Sequence, residues 1–117
     1  MEEKLFAEFI TLLRKKSESI PVIVEGKNDE KLLRRFGIKN IYTLSGKNYF
    51  DLVEQLGEQT HEVILLTDVD PQGEKIFKKL SQILEGFNVR VDSSFREYLK
   101  KLGVKEVEEL KLLLFKG

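Results

Sequence analysis

The fold is decided by one stretch of the sequence, Glu62-Val63-Ile64-Leu65-Leu66-Thr67-Asp68-Val69-Asp70-Pro71-Gln72-Gly73. Its four consecutive apolar residues, 63–66, predict a strand buried on both faces, because a strand with one solvent-exposed face would alternate apolar and polar residues. Pro71 and the acids before it predict that a helix begins directly afterwards. A buried strand that runs straight into a helix is typical of a parallel α/β sheet.

The same strand–turn–helix pattern occurs along most of the chain. Strands are predicted at 20–24, 40–44, 62–67 and 88–91, and helices between them at about 28–37, 48–57 and 72–85. Amphipathic segments predict further helices at about 3–16 and 94–102, and a leucine-rich segment predicts a final one at 104–115. We therefore predict a single domain over residues 1–117 with its core at about 20–92. Its fold class is α/β: a three-layer, doubly wound, four-stranded parallel sheet of Rossmann-like type, flanked by helices.

The composition excludes several classes of function. Twenty Lys and Arg balance twenty Asp and Glu, so no long-range field would hold the chain unselectively on DNA or on an anionic membrane. The absence of cysteine excludes disulfides and thiolate metal sites, and the single His61 argues against a serine–histidine relay. Residues 1–16 contain no apolar run of signal-peptide or membrane-span length, so we expect a cytoplasmic protein without membrane contact.

Two of the predicted strands end in acidic residues. Glu25 follows the first strand, and Asp68 and Asp70 follow the third. In open parallel sheets, ligands bind at the carboxyl ends of strands where successive crossovers leave in opposite directions. Right-handed crossovers of this kind would make the first and third strands neighbours and bring all three carboxylates into one crevice. Such a cluster needs a compensating cation, and its oxygen ligands favour Mg²⁺, for which Mn²⁺ can substitute.

Glycines and basic residues near the same edge are candidate ligands for phosphate or nucleic acid. They are Gly26, Lys27, Gly46, Lys47, Gly73, Arg90 and Arg96. The glycines would let backbone N–H groups approach a phosphate, and the two arginines are predicted near the rim of the crevice. Each feature also has a plainer interpretation: a tight turn, a solvated basic side chain, or, for the three acids, a residue that caps a helix or lies near its N-terminus. His61 is predicted at the surface, away from the crevice.

Two segments together resemble a known family. Val22-Ile23-Val24-Glu25-Gly26-Lys27-Asn28-Asp29 and Leu65-Leu66-Thr67-Asp68-Val69-Asp70-Pro71-Gln72-Gly73 resemble the Toprim domain. That domain is shared by bacterial-type primases, type IA and type II topoisomerases, OLD-family nucleases and ribosomal-RNA maturation nucleases. The spacing of the motifs is most similar to the maturation nucleases and to small stand-alone Toprim proteins. The resemblance implies that Glu25 is a general acid or base and that Asp68 and Asp70 bind magnesium.

These observations lead to one principal hypothesis and two alternatives. The principal hypothesis is a magnesium-dependent phosphodiester enzyme, a nuclease or nuclease subunit that acts on RNA or DNA. The first alternative is a non-catalytic, metal- and nucleic-acid-binding regulatory module that acts with a larger partner. The second is a phosphate-binding enzyme for small molecules. Because the chain is neutral overall, we expect a long nucleic acid to be held with the help of a protein partner or a homodimer.

Overall fold

The computed structural model describes residues 2–115, in which helices and strands alternate. The strands are β1 (Val22–Val24), β2 (Ile41–Thr43), β3 (Glu62–Leu65) and β4 (Arg90–Asp92). The helices are α1 (Glu2–Lys16), α2 (Lys27–Arg35), α3 (Tyr49–Leu56), α4 (Pro71–Gly86) and α5 (Ser94–Leu102), followed by a 3₁₀ helix at Val107–Phe115. None of the helices in this part of the chain is both long enough and apolar enough to cross a membrane.

The four strands form one parallel sheet in the order β2-β1-β3-β4. Val22 lies beside Ile41 of β2 on one side and beside Ile64 of β3 on the other. The connections from β1 to β2 and from β3 to β4 therefore leave in opposite directions. This confirms the prediction that the first and third strands are adjacent in the sheet. The loops that follow β1 and β3 therefore lie side by side.

Successive residues of the central strands pack on opposite faces of the sheet. Val22 and Val24 pack with the side of α1, α2, α5 and the 3₁₀ helix, whereas Ile23 packs with the side of α3 and α4. All three β1 side chains are fully buried, which is what an uninterrupted apolar run requires. The predicted three-layer α/β architecture is confirmed.

The last strand begins two residues later than predicted, at Arg90 instead of Asn88. Asn88 has a φ of +62°, a left-handed conformation that a strand does not contain. It belongs instead to the turn that ends α4, where its N–H donates to the carbonyl of Glu85 at 3.0 Å. This small shift moves Arg90 to the amino end of β4.

The C-terminal segment also differs from the prediction. Gly103 ends α5, as expected, and has a left-handed conformation, but the next helix is of 3₁₀ type and begins at Val107 rather than at Val104. Residues just before and at its start are bound to the loop after β3: the carbonyl of Lys105 accepts from the N–H of Val69 at 2.6 Å, and the N–H of Val107 donates to Asp68 Oδ1 at 2.9 Å. These bonds hold residues 105–107 against the loop after β3, and the helix begins only at the end of this bound segment.

Candidate metal centre at the carboxyl edge of the sheet

Glu25 and Asp68 come from different strands and meet at the carboxyl edge of the sheet. Ile23 of β1 lies beside Leu65 of β3, so the residues that follow the two strands continue next to each other. The backbone N–H of Asp68 donates to Glu25 Oε2 at 2.7 Å. The Glu25 side chain therefore reaches across the switch point and holds the start of the loop that carries the two aspartates.

The Asp68 carboxylate lies in a partly buried and strongly acidic environment. The pKa of Asp68 is raised to about 7, chiefly by burial and also by the charges of Glu25, Asp29 and Asp70, although the N–H of Val107 opposes them. A carboxylate in such surroundings is stabilised in its charged form by a cation or by a proton. The crevice thus has the electrostatic character of a site for a positive ligand.

Asp70 serves as the N-cap of α4. Its Oδ1 accepts from the N–H of Gly73 at 2.6 Å, and Pro71 occupies the first turn of the helix. This is the plainer interpretation of the Asp-x-Asp motif, and it is observed here. As the side chains stand, no three His, Cys, Asp or Glu residues within 2–115 are grouped closely enough to hold one metal ion.

Each of the three carboxylates is nevertheless fixed in the same way. One oxygen of each accepts from a backbone N–H: that of Asp68 for Glu25, that of Val107 for Asp68 and that of Gly73 for Asp70. For the second oxygen of each, we find no hydrogen-bond donor among the described residues. Backbone bonds of this kind orient carboxylates that ligate metals, and a set of oxygen donors suits Mg²⁺.

Gly73 is required for the loop to close. A Cβ atom added at this position would lie 1.9 Å from the carbonyl oxygen of Asp68, so no other residue fits without movement of the backbone. The hydroxyl of Thr67 closes the same loop by donating to the Gly73 carbonyl at 3.0 Å. The observed role of Gly73 is therefore close backbone packing, and its N–H is already engaged by Asp70.

Arg96 lies beneath this loop rather than at the rim of the crevice, where we predicted it. Only 3% of the residue is exposed. Its guanidinium donates to the carbonyls of Thr67 at 3.0 Å and Asp68 at 2.8 Å and to the Glu74 carboxylate at 2.6 Å, and it stacks over the ring of Phe77. Because these acceptors engage Nε and Nη2, Arg96 holds the loop between β3 and α4 from the interior of the protein.

Asp29 is a residue of the site that sequence reasoning missed. It lies in the first turn of α2 and is only 8% exposed, and its Oδ2 accepts from the N–H of Gly26 at 3.1 Å. Burial raises its pKa, and the charges of Glu108, Glu25 and Glu106 contribute in the same direction. An acid three residues after Gly26 has the spacing of a helix-start signal, which was the available clue in the sequence.

The turns after β1 and β2 carry the other candidates at this edge. The N–H of Ser45 donates to the carbonyl of Glu25 at 3.0 Å, which brings the two turns together. Gly46 has a φ of +80°, and Lys47 is exposed and donates to Gln55 Oε1 at 2.8 Å. Lys27, the first residue of α2, is also exposed. Gly26, Lys27, Gly46 and Lys47 are thus on the predicted side of the molecule.

Arg90 is not at this edge, contrary to the prediction. In the parallel pairing of β3 with β4 it lies beside Glu62, the first residue of β3, and its backbone N–H donates to the carbonyl of His61 at 2.8 Å. Both contacts put it at the amino ends of the strands. Glu62 and Asp68 are six positions apart in the sequence, which corresponds to about 20 Å of extended chain. His61 is exposed, as predicted.

A doubly wound parallel sheet with polar residues at its switch point belongs to the class of open α/β domains, whose ligands bind at the carboxyl ends of the strands. The sequence matches the Toprim domain over residues 21–108, and this chain belongs to that family. The family in general binds divalent metal and is associated with nucleic acid. The predicted Toprim resemblance is confirmed, and its finer likeness to ribosomal-RNA maturation nucleases stays a prediction.

Relatives of similar size exist in archaea and bacteria. A UPF0292 protein of Pyrococcus abyssi is 35% identical over 105 residues, which cover 90% of this chain and 78% of that protein. A UPF0292 protein of Methanocaldococcus jannaschii is 30% identical over 113 residues and is covered to 88%. A solved structure of a protein from Aquifex aeolicus is 44% identical and superimposes with a TM-score of 0.85, covering 88% of this chain and 95% of that one.

Proposed function

We propose that this protein is a magnesium-dependent phosphodiester enzyme that cleaves RNA or DNA, alone or as a nuclease subunit. The observation that carries the proposal is the hydrogen bond of 2.7 Å from the N–H of Asp68 to the Glu25 carboxylate. It joins the acid after β1 to the Asp-x-Asp loop after β3, so that the candidate proton carrier and the candidate metal ligands share one crevice.

The donor set fits a hard divalent cation. Glu25, Asp68 and Asp70 are all oxygen ligands, and the raised pKa of Asp68 is the expected sign of a carboxylate that lacks a compensating positive charge. Asp68 and Asp70 would hold the ion, with Glu25 beside them. Bound Mg²⁺ would supply Lewis-acid stabilisation of the negative charge that develops on a scissile phosphate.

The protein's own groups would perform the remaining tasks. Glu25 would exchange a proton with the attacking or leaving oxygen through its Oε1, because its Oε2 is engaged by the backbone. Lys27 and Lys47 lie at the same edge and are exposed, so they would attract the phosphates on either side of the cleaved bond. Arg96 and Gly73 would keep the aspartate loop in its shape.

Cleavage of a labelled panel of single-stranded, duplex and hairpin RNA and DNA tests the proposal. Cleavage should require Mg²⁺ or Mn²⁺ and should fall at least about a hundredfold in Glu25→Gln and Asp70→Asn. Glu85→Gln, which alters an exposed acid of α4, is the matched control and should cleave as the wild type does. Cleavage that is unchanged in Asp70→Asn would not depend on the proposed site. It would indicate a contaminating nuclease, and the proposal would be contradicted.

The non-catalytic binding module remains the second candidate, and two observations favour it. The chain has no net charge, and Asp70 already caps α4. A regulatory module of this kind would retain the same nucleic acids in a mobility-shift assay without cleaving any of them at any Mg²⁺ concentration. Calorimetric titration with Mg²⁺ tests the premise that the two candidates share, since both require binding by the wild type and weaker binding by Asp68→Asn.

A further inference from the structure

One cavity among the described residues has none of the acidic residues of the crevice in its lining. It has a volume of about 620 Å³, within the range of about 300–1,000 Å³ that is usual for binding clefts. Its lining includes residues of α3, the turn that ends α4, and His61 and Val89, which precede β3 and β4. Most of these residues lie at the ends of α3 and α4 or just before β3 and β4, at the amino ends of the strands, whereas Phe50 lies in the first turn of α3.

Two exposed phenylalanines border this groove. Phe50 is 60% exposed and Phe87 is 54% exposed, and their rings meet edge to face with centroids 6.3 Å apart. Isolated exposed apolar side chains are ordinary on protein surfaces. Here, however, two of the four large exposed hydrophobic residues of the described chain contact each other at the rim of this cavity. Clustered aromatic side chains of this kind are typical of interaction sites.

The charges around the groove indicate what it binds. Glu54 and Glu58 line it and are exposed, and within residues 2–115 neither forms an ion pair. No Lys or Arg is among its described lining residues. Exposed aromatic rings can stack on nucleobases, but sites for nucleic acid combine them with positive charge that follows the backbone phosphates. Two carboxylates would repel those phosphates, and they would attract Lys or Arg.

We propose that the groove between Phe50 and Phe87 is a docking site for a segment of another protein, with one or two large apolar side chains flanked by Lys or Arg. The apolar side chains would fill the groove against the two rings, and the basic side chains would reach Glu54 and Glu58. The groove shares no lining residue with the acidic crevice, so the docked protein would leave Glu25, Asp68 and Asp70 uncovered. The site goes beyond the proposed enzyme activity and does not depend on it.

Selection of random 12-residue peptides displayed on phage, with the immobilised full chain as bait, tests this proposal. The recovered peptides should combine a large apolar residue with at least two Lys or Arg, and they should bind the wild type when synthesised with a fluorescent label. Phe50→Ala and Phe87→Ala should each weaken that binding about tenfold or more, as is usual for central aromatic residues of an interface. Leu12→Ala is the matched control, since Leu12 is 42% exposed and lies on α1, across the sheet; it should bind as the wild type does.

The double change Glu54→Lys with Glu58→Lys separates charge recognition from loss of the rings. It alters only exposed side chains, and it should weaken binding several-fold and remove most of the salt dependence. Failure to recover peptides, or peptides that bind Phe50→Ala equally well, would overturn the proposal. So would a labelled 12-nucleotide single strand of DNA that binds through Phe50, or a dimer in sedimentation that Phe87→Ala dissociates, because these would identify nucleic acid or a second copy as the occupant.

Discussion

The backbone N–H of Val107 donates to Asp68 Oδ1 at 2.9 Å, across 39 residues of sequence. The bond joins the start of the C-terminal 3₁₀ helix to a candidate metal ligand. It also lowers the pKa of Asp68, although burial outweighs it. The C-terminal segment, which lies beyond the sheet, thus takes part in orienting the site.

Replacement of Val107 tests this bond. Val107→Pro removes the N–H at a position where a helix start tolerates proline, whereas Val107→Ala keeps the N–H and removes only methyl groups. Both variants lose burial, but Val107→Pro should lose a further ~1–3 kcal/mol in the free energy of unfolding because a charge-assisted hydrogen bond is absent. Urea denaturation of the two variants measures the difference. Equal stabilities would show that the bond contributes nothing.

The stability of the protein should depend on pH through Asp68. Its pKa is raised from the ordinary value of 3.8 to about 7, so the folded protein holds this proton more tightly than the unfolded chain does. The resulting stabilisation is complete below the unfolded pKa and is lost as the pH rises through the folded pKa. Asp68→Asn cannot ionise, so its stability relative to the wild type should increase by up to ~4 kcal/mol between pH 4 and pH 8.

Urea denaturation at intervals from pH 4 to pH 8 measures that change. Asparagine keeps the size of the side chain and an oxygen that can accept from the N–H of Val107, so the comparison isolates the charge. Glu85→Gln is the control and should follow the wild-type curve. Parallel curves for Asp68→Asn and the wild type would contradict the prediction.

Magnesium should stabilise the wild type most at high pH, where Asp68 is ionised. A ligand that binds only the folded state at one hundred times its Kd adds ~2.7 kcal/mol to stability. Thermal unfolding at pH 8 should therefore shift upward with Mg²⁺ for the wild type and much less for Asp68→Asn. An equal shift in both proteins would mean that Asp68 does not bind the ion.

Gly73→Ala should be strongly destabilising. The new Cβ would lie 1.9 Å from the Asp68 carbonyl, so the loop must move, at an expected loss of ~2–4 kcal/mol. Gly86 gives a matched control in the same helix, because a Cβ there meets nothing within 4 Å. Gly86→Ala should be neutral or should stabilise α4 by up to ~1 kcal/mol. Thermal unfolding of the two variants compares them, and similar effects would contradict the observed packing.

Arg96→Met should cost ~3–5 kcal/mol in the free energy of unfolding, because it leaves the carbonyls of Thr67 and Asp68 without their buried donor. Glu74→Gln removes the charge of a partner that is 48% exposed and should cost less than ~1 kcal/mol. Equilibrium denaturation in urea measures both. If the two losses are alike, the ion pair rather than the loop carbonyls accounts for the role of Arg96.

The sheet and its acidic edge could be predicted because burial on both faces leaves a signature in the sequence. The runs at 22–24 and 63–66 are apolar throughout, and an acid follows each of them closely. Once right-handed crossovers that leave the first strand in opposite directions are assumed, the neighbouring positions of the first and third strands and the meeting of Glu25 with Asp68 follow. The orientation of the three carboxylates could not be predicted in the same way, since backbone N–H groups compete with a metal ion for the same carboxylate oxygens.

The positions of the two arginines could not be predicted for physical reasons. Arg96 is one of several charged residues of α5, and nothing in their sequence pattern distinguishes it from the others. Only its packing against the loop between β3 and α4 determines that it is buried. Arg90 depended on a strand boundary, which the left-handed Asn88 displaced by two residues. The N–H of Val107 left no trace at all in the sequence, because every residue except proline has such a donor.

The bond between Glu25 and Asp68 spans 43 residues and joins strands that pair across the switch point. The part of the chain between them contains β2 and α3. A fragment that ends before Glu62 would therefore possess Glu25 and its turn but no counterpart for it. We expect affinity for Mg²⁺ to appear during refolding only when β3 has paired with β1. Binding of Mg²⁺ would then measure formation of the native state.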